Sequence, residues 1–182
     1  MSALPLTLLF GAAPPLGPWE AETLDGRPVR VPDRLEGSLQ VLLVAFERDR
    51  ADALERSHAL LGPLEGELPG LAIYQTPVIG KVNGFLQAII LGSQRVTLPR
   101  HRHARYAPLF VDRKDAMAAL GVVERDACVA VVQSGARRLV VTGACDPDLI
   151  TRVRAALQTV QDGAPATTAD PAHKAAPLPA AP

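Results

Sequence analysis

The sequence is poor in the residues that define several common functional classes. Only two of its 182 residues are cysteines, and 4% are aromatic. Two cysteines are too few for a disulfide framework and are typical of a reducing, cytoplasmic compartment. The scarcity of aromatic side chains argues against a surface on which nucleic-acid bases stack. The motifs GxxxxGK[ST] and GxGxxG are missing too, which argues against the common nucleotide-binding sites.

Neither an excess of one charge nor a long apolar run is present. Nineteen basic and nineteen acidic side chains cancel, so no overall field draws the chain onto nucleic acid or an anionic membrane. No run approaches the roughly 18 apolar residues that a membrane-spanning helix needs. The apolar first residues, 1–13, lack a basic stretch and are followed by Pro14 and Pro15, which does not fit a secretory signal peptide.

The chain divides into three predicted segments. Residues 1–13 form an apolar N-terminal segment, residues 14–161 form one domain, and residues 162–182 form a tail rich in alanine and proline. The tail has almost no large apolar side chain and cannot bury enough surface to offset its ordering entropy. We therefore expect the tail to be disordered.

Alternating patterns predict strands and helices within the domain. They indicate a hairpin over 19–32, a buried strand over 39–46, a helix capped by Asp52, a strand over 71–79, a helix over 82–92, a strand over 106–111, a helix from Asp112 to Gly121, a hairpin over 128–142 and a helix from Asp146. Buried strands separated by helices pair in parallel, and the late hairpin adds an antiparallel pair. The prediction is an α/β fold with a mixed central sheet and helices on both faces.

Three stretches fit this order of elements, and they are GAAPPLGPWEAETLDGRPVRVPDRLEG, APLFVDRKDAMAALGV and CVAVVQSGARRLVVTG. In their order and turn residues they resemble the thioredoxin-like superfamily in its peroxiredoxin-like form, over about residues 11–160. The middle stretch, YQTPVIGKVNGFLQAIILG, is similar to the redox-inactive relatives of the mitochondrial ATP synthase assembly factor family. The resemblance implies a thioredoxin-like fold and a binding role of the assembly or chaperone type.

The chain departs from the superfamily at the redox site. Aligned on the superfamily pattern, Arg50 and Ala53 stand where the cysteines of the CxxC motif would be, and Ala127 or a neighbour replaces the cis-proline. Dithiol exchange needs a thiolate with a depressed pKa and a resolving thiol, which arginine and alanine do not supply. We expect a redox-inactive member with no cofactor and no metal.

The two cysteines are the weak candidates for a remaining thiol activity. Cys145 precedes a predicted helix, whose N-terminus would favour a thiolate, or it is a small residue that fills a corner. Cys128 begins a buried strand and is predicted to be inert core. Counting from the turn places Cys128 opposite Val141 or Thr142, so we do not expect a disulfide. A peroxiredoxin-type oxidoreductase that uses a lone cysteine is the alternative function.

The most unusual feature is a long stretch without acidic residues. From Leu68 to Val111, 44 residues contain no Asp or Glu. The candidate binding residues fall in its last part, and they are Arg95, Arg100, His101, Arg102, His103 and Arg105. Next to an apolar helix, such a basic connector would attract an anionic partner and offer it apolar area.

Two other interpretations of the basic connector remain open. The arginines could instead pair with the acidic turn of the same chain, which contains Glu47, Asp49, Asp52 and Glu55. His101 and His103 have the spacing of a metal-chelating pair, but no Asp, Glu or Cys nearby offers the further ligands that a site needs.

Overall fold

The structure, a computed structural model, describes residues 18–47, 51–123, 128–134, 137–143 and 147–162. The strands are β1 (Trp19–Glu22), β2 (Pro28–Val31), β3 (Leu39–Val44), β4 (Leu71–Gln75), β5 (Cys128–Ser134) and β6 (Arg137–Gly143). The α-helices are α1 (Ala51–Leu61), α2 (Pro63–Glu67), α3 (Gly84–Thr97), α4 (Arg113–Leu120) and α5 (Pro147–Asp162). A 3₁₀ helix over Arg100–Arg105, here called the connector helix, follows α3.

A mixed four-stranded sheet lies at the centre, in the order β4-β3-β5-β6. β4 pairs in parallel with β3, whereas β5 is antiparallel to both β3 and β6. All six side chains of β3 are buried, as the continuous apolar run LQVLLV requires of a strand covered on both faces. The predicted fold class is confirmed.

Helices cover both faces of this sheet because side chains alternate along each strand. Val41 and Leu43 of β3 face one side, where they pack with α1 and α5. Leu42 and Val44 face the other side, where they pack with α4 and the β1–β2 hairpin. Helix α3 contributes to neither core, since Leu91 is its one buried residue.

Most of the predicted elements are confirmed. The β1–β2 hairpin turns through Gly26, whose φ of 90° suits glycine. Helix α4 begins after Asp112, whose side chain accepts hydrogen bonds from the backbone N–H groups of Lys114 and Asp115, and it ends at Gly121 with a φ of 65°. These are the capping residues that the sequence indicated.

Four predicted elements differ from the structure. The strand predicted over 71–79 ends at Gln75. Helix α1 begins at Ala51, so Asp52 lies in its first turn rather than at its N-cap. The segment 106–111 forms only isolated parallel bridges, Gln75 with Tyr106 and Val78 with Leu109. A continuous strand does not form there because Pro77, which lies between the two bridges, has no N–H group to donate. Helix α3 begins after Asn83, whose side chain accepts a hydrogen bond from the N–H of Leu86, and it continues to Thr97 rather than Gly92.

Several predicted features lie outside the described residues. They are the apolar segment 1–13, the residue at Arg50, the cap at Asp146 and the tail from 163 onward. Asp162, assigned to the tail by the sequence, is the last residue of α5. Within the described residues, no helix is both long and apolar enough to cross a membrane.

Candidate functional site

The end of β3 and the start of α1 form the position where the resemblance places a dithiol. Ala53 is buried in α1 and has no reactive group, and Arg50 lies outside the described residues. After the end of β3, the side chains of Glu47 and Arg113 approach to 3.8 Å. Arg113 also donates to the carbonyl oxygen of Ile79 at 3.3 Å. Among the described residues, this arrangement contains no nucleophile.

The prediction that the chain has no disulfide is wrong, because of Cys128. It is disulfide-bonded, and the described residues contain no free cysteine. Cys145, the other cysteine of the chain, lies outside the described residues. Counting from the turn placed Val141 or Thr142 opposite Cys128, but Ser134 pairs with Arg137, so Gly143 is the true partner position. A cysteine held in a disulfide offers no thiolate.

The connector helix packs against the protein through most of its basic side chains. Arg102 is 9% exposed and pairs with Glu55 of α1. Arg105 donates to the hydroxyl oxygen of Tyr74 at 2.6 Å, and its guanidinium carbon lies 4.9 Å from the centre of that ring. Nε2 of His103 lies 2.9 Å from the carbonyl oxygen of Leu98. These three candidate residues are engaged within the chain.

Arg95, the candidate on α3, is also engaged within the chain. Its Nε donates to the carbonyl oxygen of Leu24 at 2.6 Å, and its Nη2 lies 2.9 Å from Glu22. These contacts fix the C-terminal end of α3 to the β1–β2 hairpin. The pairing of Arg102 with Glu55 is the intramolecular alternative that the sequence left open, whereas Arg95 pairs with an acidic residue that the sequence did not suggest.

Two titratable groups line the contact between α1 and the connector helix. Burial, followed by the charge of Arg102, lowers the pKa of His58 below its usual 6.5. Burial raises the pKa of Tyr106 to about 12, and its hydroxyl accepts a hydrogen bond from Nε2 of Gln94 at 3.1 Å. Both side chains are therefore neutral at pH 7, so Arg102 and Glu55 carry the charge in this contact.

Arg100 and His101 remain exposed at the start of the connector helix. Neither forms a salt bridge within the described part of the chain. The described residues also contain no group of three or more His, Cys, Asp or Glu side chains that could hold a metal. Of the six candidate residues, these two are the ones whose side chains are exposed and have no carboxylate partner in the described ranges.

Helix α3 supplies an apolar surface that the candidate residues did not include. Phe85 is 76% exposed and Val96 is 89% exposed, and Leu86 and Ile89 are exposed as well. At 100° per residue, Phe85, Ile89 and Val96 lie within about 40° of one another on the helix. The four exposed apolar side chains form what we call the α3 face. Their helical spacing in a stretch without carboxylates was the signal for it in the sequence.

The side of helix α3 opposite the α3 face packs against the protein. Leu91 is buried, and Gln94 and Ile90 are half-buried on the opposite side of the helix. A helix that is apolar on two sides can bury only one of them against its own sheet. The other side stays exposed, and Arg100 and His101 follow it in the chain.

Comparisons with known proteins support the fold. No protein-family model matches the chain, and no curated protein matches its sequence. Solved structures do match. An uncharacterised thioredoxin-like protein from Porphyromonas gingivalis is 11% identical, with a TM-score of 0.53 over 84% of this chain and 96% of its own.

Two further structures are similar to a comparable degree. BsSco, a member of the Sco family of cytochrome c oxidase assembly proteins, is 13% identical, with a TM-score of 0.51 over 79% of this chain and 93% of its own. The thioredoxin domain of a thiol-disulfide oxidoreductase from Bacteroides vulgatus is 11% identical, with a TM-score of 0.50 over 81% of this chain and 99% of its own. The likeness to these structures shows that the chain has the thioredoxin-like fold.

Proposed function

We propose that this protein is a redox-inactive thioredoxin-like binding module that recognises an acidic partner through the α3 face and the exposed Arg100 and His101. The observation that carries the proposal is the α3 face itself. Soluble proteins seldom expose contiguous large apolar side chains unless the patch binds something. Here Phe85 and Val96 are among the most exposed apolar side chains of the described residues.

Charge defines the kind of partner that suits this surface. The 44 residues from Leu68 to Val111 contain no carboxylate, and Arg100 is not neutralised by a partner among the described residues. A surface that is apolar at its centre and positive at its edge is complementary to a partner with an apolar patch and acidic margins. We infer a protein partner of that composition.

The proposal also concerns the branch of the thioredoxin-like superfamily to which the protein is related. We propose that it is a peroxiredoxin-like member related to the redox-inactive relatives of the ATP synthase assembly factor family, and that its binding serves assembly or a chaperone-like role. BsSco, a structure of the same fold, is described as one of the cytochrome c oxidase assembly proteins. This analogy of fold supports an assembly role but does not identify the partner.

The rival function, a thiol oxidoreductase with a lone cysteine, has less support. Cys128 is disulfide-bonded, and Ala53 occupies a position of the CxxC motif in the resemblance. We expect the purified protein not to reduce insulin or consume peroxide beyond the level of a Cys128→Ser/Cys145→Ser double variant. Activity that disappears in the double variant would establish the rival function.

The sequence suggested a cytoplasmic location, and the disulfide at Cys128 bears on this expectation. Stable disulfides form mainly in oxidising compartments, so the disulfide at Cys128 argues against that location. Alkylation of thiols in protein extracted rapidly from its native cells, under denaturing conditions, distinguishes the two cases. Free thiols would favour a reducing compartment, and their absence would favour an oxidising one.

Capture from native lysate tests the binding function. The wild-type protein should retain a reproducible acidic partner, and the double variant Phe85→Ser/Ile89→Ser should lose it. Leu60→Ser, which removes a half-exposed apolar side chain from α1, is the matched control and should retain the partner. Binding should weaken with salt as the screening length falls from about 10 Å at 0.1 M to about 3 Å at 1 M. Equal capture by wild type and double variant would refute the proposed surface.

A further inference from the structure

The C-terminal end of α3 is fixed to the hairpin whose first strand carries the start of the chain into the fold. Arg95, near the end of α3, contacts both Glu22 and the carbonyl oxygen of Leu24. Glu22 ends strand β1, which begins at Trp19. The residues that precede the described part of the chain are therefore connected to the end of a strand that is itself fixed to α3.

The preceding residues are long enough to reach any part of the α3 face. β1 extends about 10 Å from Glu22 back to Trp19 at roughly 3.3 Å per residue. Along α3, Arg95 and Phe85 are about 15 Å apart at 1.5 Å per residue. Phe10 lies eight residues before Pro18 and Leu4 lies fourteen before it, and extended chains of those lengths span about 26 Å and 46 Å. Reach therefore does not limit the contact, whatever direction the chain takes from Trp19.

The composition of these residues matches the α3 face. Residues 4–10, LPLTLLF, contain four leucines and a phenylalanine and no charged side chain. The α3 face is likewise apolar and uncharged between its ends. Burying side chains of this kind removes apolar surface from water, which stabilises the contact. The hydrophobic effect therefore favours association of this apolar segment with the apolar helix face of the same chain.

A tethered segment suits this face better than a second copy of the protein. One face of a four-turn helix is smaller than the roughly 800 Å² per partner of a standard protein interface. A tethered segment needs less area because it loses no translational freedom on binding. Two α3 helices packed together would also bring the exposed Lys81 and Arg100 of both copies into one interface, without a carboxylate from Leu68 to Val111 to offset them.

We propose that residues 4–10 dock on the α3 face of their own chain and cover it until the acidic partner displaces them. The inference rests on the proposed function, because it describes how that same binding surface is regulated. The segment acts as an internal competitor, so the apparent affinity for the partner is reduced by the fraction of molecules in which the face is covered.

Amide hydrogen exchange without any partner present tests the docking. We compare the full chain with a variant that lacks residues 2–13, using the amides of α3 as the readout and those of α5 as the internal control. Removal of the segment should speed exchange in α3 by about fivefold or more and leave α5 unchanged, since a contact worth about 1 kcal/mol changes an opening equilibrium by that factor. Unchanged exchange in α3 would overturn the inference.

Substitutions in the full-length chain guard against effects of truncation. Leu6→Ser/Leu9→Ser should reproduce the faster exchange, whereas the matched polar change Thr7→Ser should not. Protection of α3 that rises with protein concentration would show that a second copy covers the face, and it would overturn docking within one chain.

Partner capture separates this inference from the proposed function. If the segment docks as inferred, the truncated protein should bind the partner several-fold more tightly than the full chain. Loss of binding in Phe85→Ser/Ile89→Ser together with unchanged exchange on truncation would refute the docking and leave the proposed function standing. Faster exchange on truncation with capture that is indifferent to the α3 face would refute the proposed function alone.

Discussion

Helices α3 and α5 are similar in length and differ in what they do with their apolar residues. α3 has 14 residues and α5 has 16. Leu149, Val153, Ala156, Leu157 and Val160 of α5 are all buried against the sheet, whereas α3 buries only Leu91 and exposes four large apolar side chains. Helix α5 thus uses its apolar side chains to build the core, whereas α3 presents most of its large apolar side chains on the surface.

The arrangement of polar residues explains this difference. In α5 the buried apolar side chains form one stripe, and polar side chains such as Arg154 and Gln158 are exposed on the other side. That pattern is the usual one for a helix that packs on a sheet. In α3 apolar side chains lie on two sides, and its own sheet can cover only one. The excess apolar area on α3 has no use in folding, and this is the reason to assign it a binding role.

Core truncation in α5 should have the largest effect on stability. Leu157→Ala should lower the free energy of unfolding by about 2–5 kcal/mol, because the side chain is fully buried and its removal leaves a cavity. Chemical denaturation measures the change. A loss below about 1 kcal/mol would mean that α5 does not close the core, and the contrast with α3 would fail.

Substitution of Arg102 and of Arg100, both in the connector helix, should have smaller effects on stability, and the two effects should differ. Arg102→Ala should destabilise the protein by about 1–2 kcal/mol, because it removes a buried cation from Glu55, whose own exposure weakens the pair. Arg100→Ala should change stability by less than about 0.5 kcal/mol, since its side chain is exposed. Thermal melts of the two variants compare them directly. Equal losses would show that Arg100 is structural and would remove it from the proposed surface.

His58 should make stability depend on pH in a defined direction. Burial and the charge of Arg102 lower its pKa, and Glu65, Glu55 and His101 act on it more weakly. The unfolded chain therefore binds more protons than the folded chain just below pH 6.5, and stability is lost as pH falls through that range. Above pH 6.5 the contribution is fully present.

Substitution of His58 isolates this contribution from those of other groups. His58→Gln should lose less stability than the wild type between pH 6.5 and the lowered pKa of the histidine. Unfolding curves at several pH values give the difference. Parallel pH profiles for the two proteins would show that His58 is not desolvated by its contact with the connector helix.

Polar substitution on the α3 face should have a small effect on stability. Ile89→Ser removes apolar area that is about half exposed in the folded protein, so the free energy of unfolding should change by less than about 0.5–1 kcal/mol. Denaturation of this variant beside Leu157→Ala measures the contrast between the two helices. A loss approaching that of Leu157→Ala would show that the α3 face is covered by the folded domain.

The sequence was sufficient for the elements whose pattern is local. The apolar run of β3 predicted a strand buried on both faces, and the pattern after Asp146 predicted helix α5. Asp112 and Gly121 marked the ends of α4 correctly. In each case the signal lies in residues that are neighbours in the same strand or helix.

Features that depend on distant parts of the chain were less predictable. The pairings of Arg95 with Glu22 and of Arg105 with Tyr74 join residues that are far apart in sequence, and a run of basic residues does not reveal its partners. The disulfide at Cys128 was missed because the count from the turn placed Val141 or Thr142 opposite Cys128, whereas Gly143 is its partner in the hairpin. The sequence offered an exposed apolar helix as one interpretation, but its pattern alone did not distinguish this from an apolar helix that packs into the core.

The affinity of the captured partner for two matched variants tests the central claim most directly. Val96 lies on the α3 face and is 89% exposed, and Val123, which follows α4, is 91% exposed. Val96→Glu and Val123→Glu introduce the same charge at equally open positions. If the α3 face binds an acidic partner, Val96→Glu should weaken the dissociation constant by about tenfold or more, a loss of about 1.4 kcal/mol, and Val123→Glu should leave it within about twofold. Equal affinities for the two variants, or a larger loss at Val123, would contradict the account.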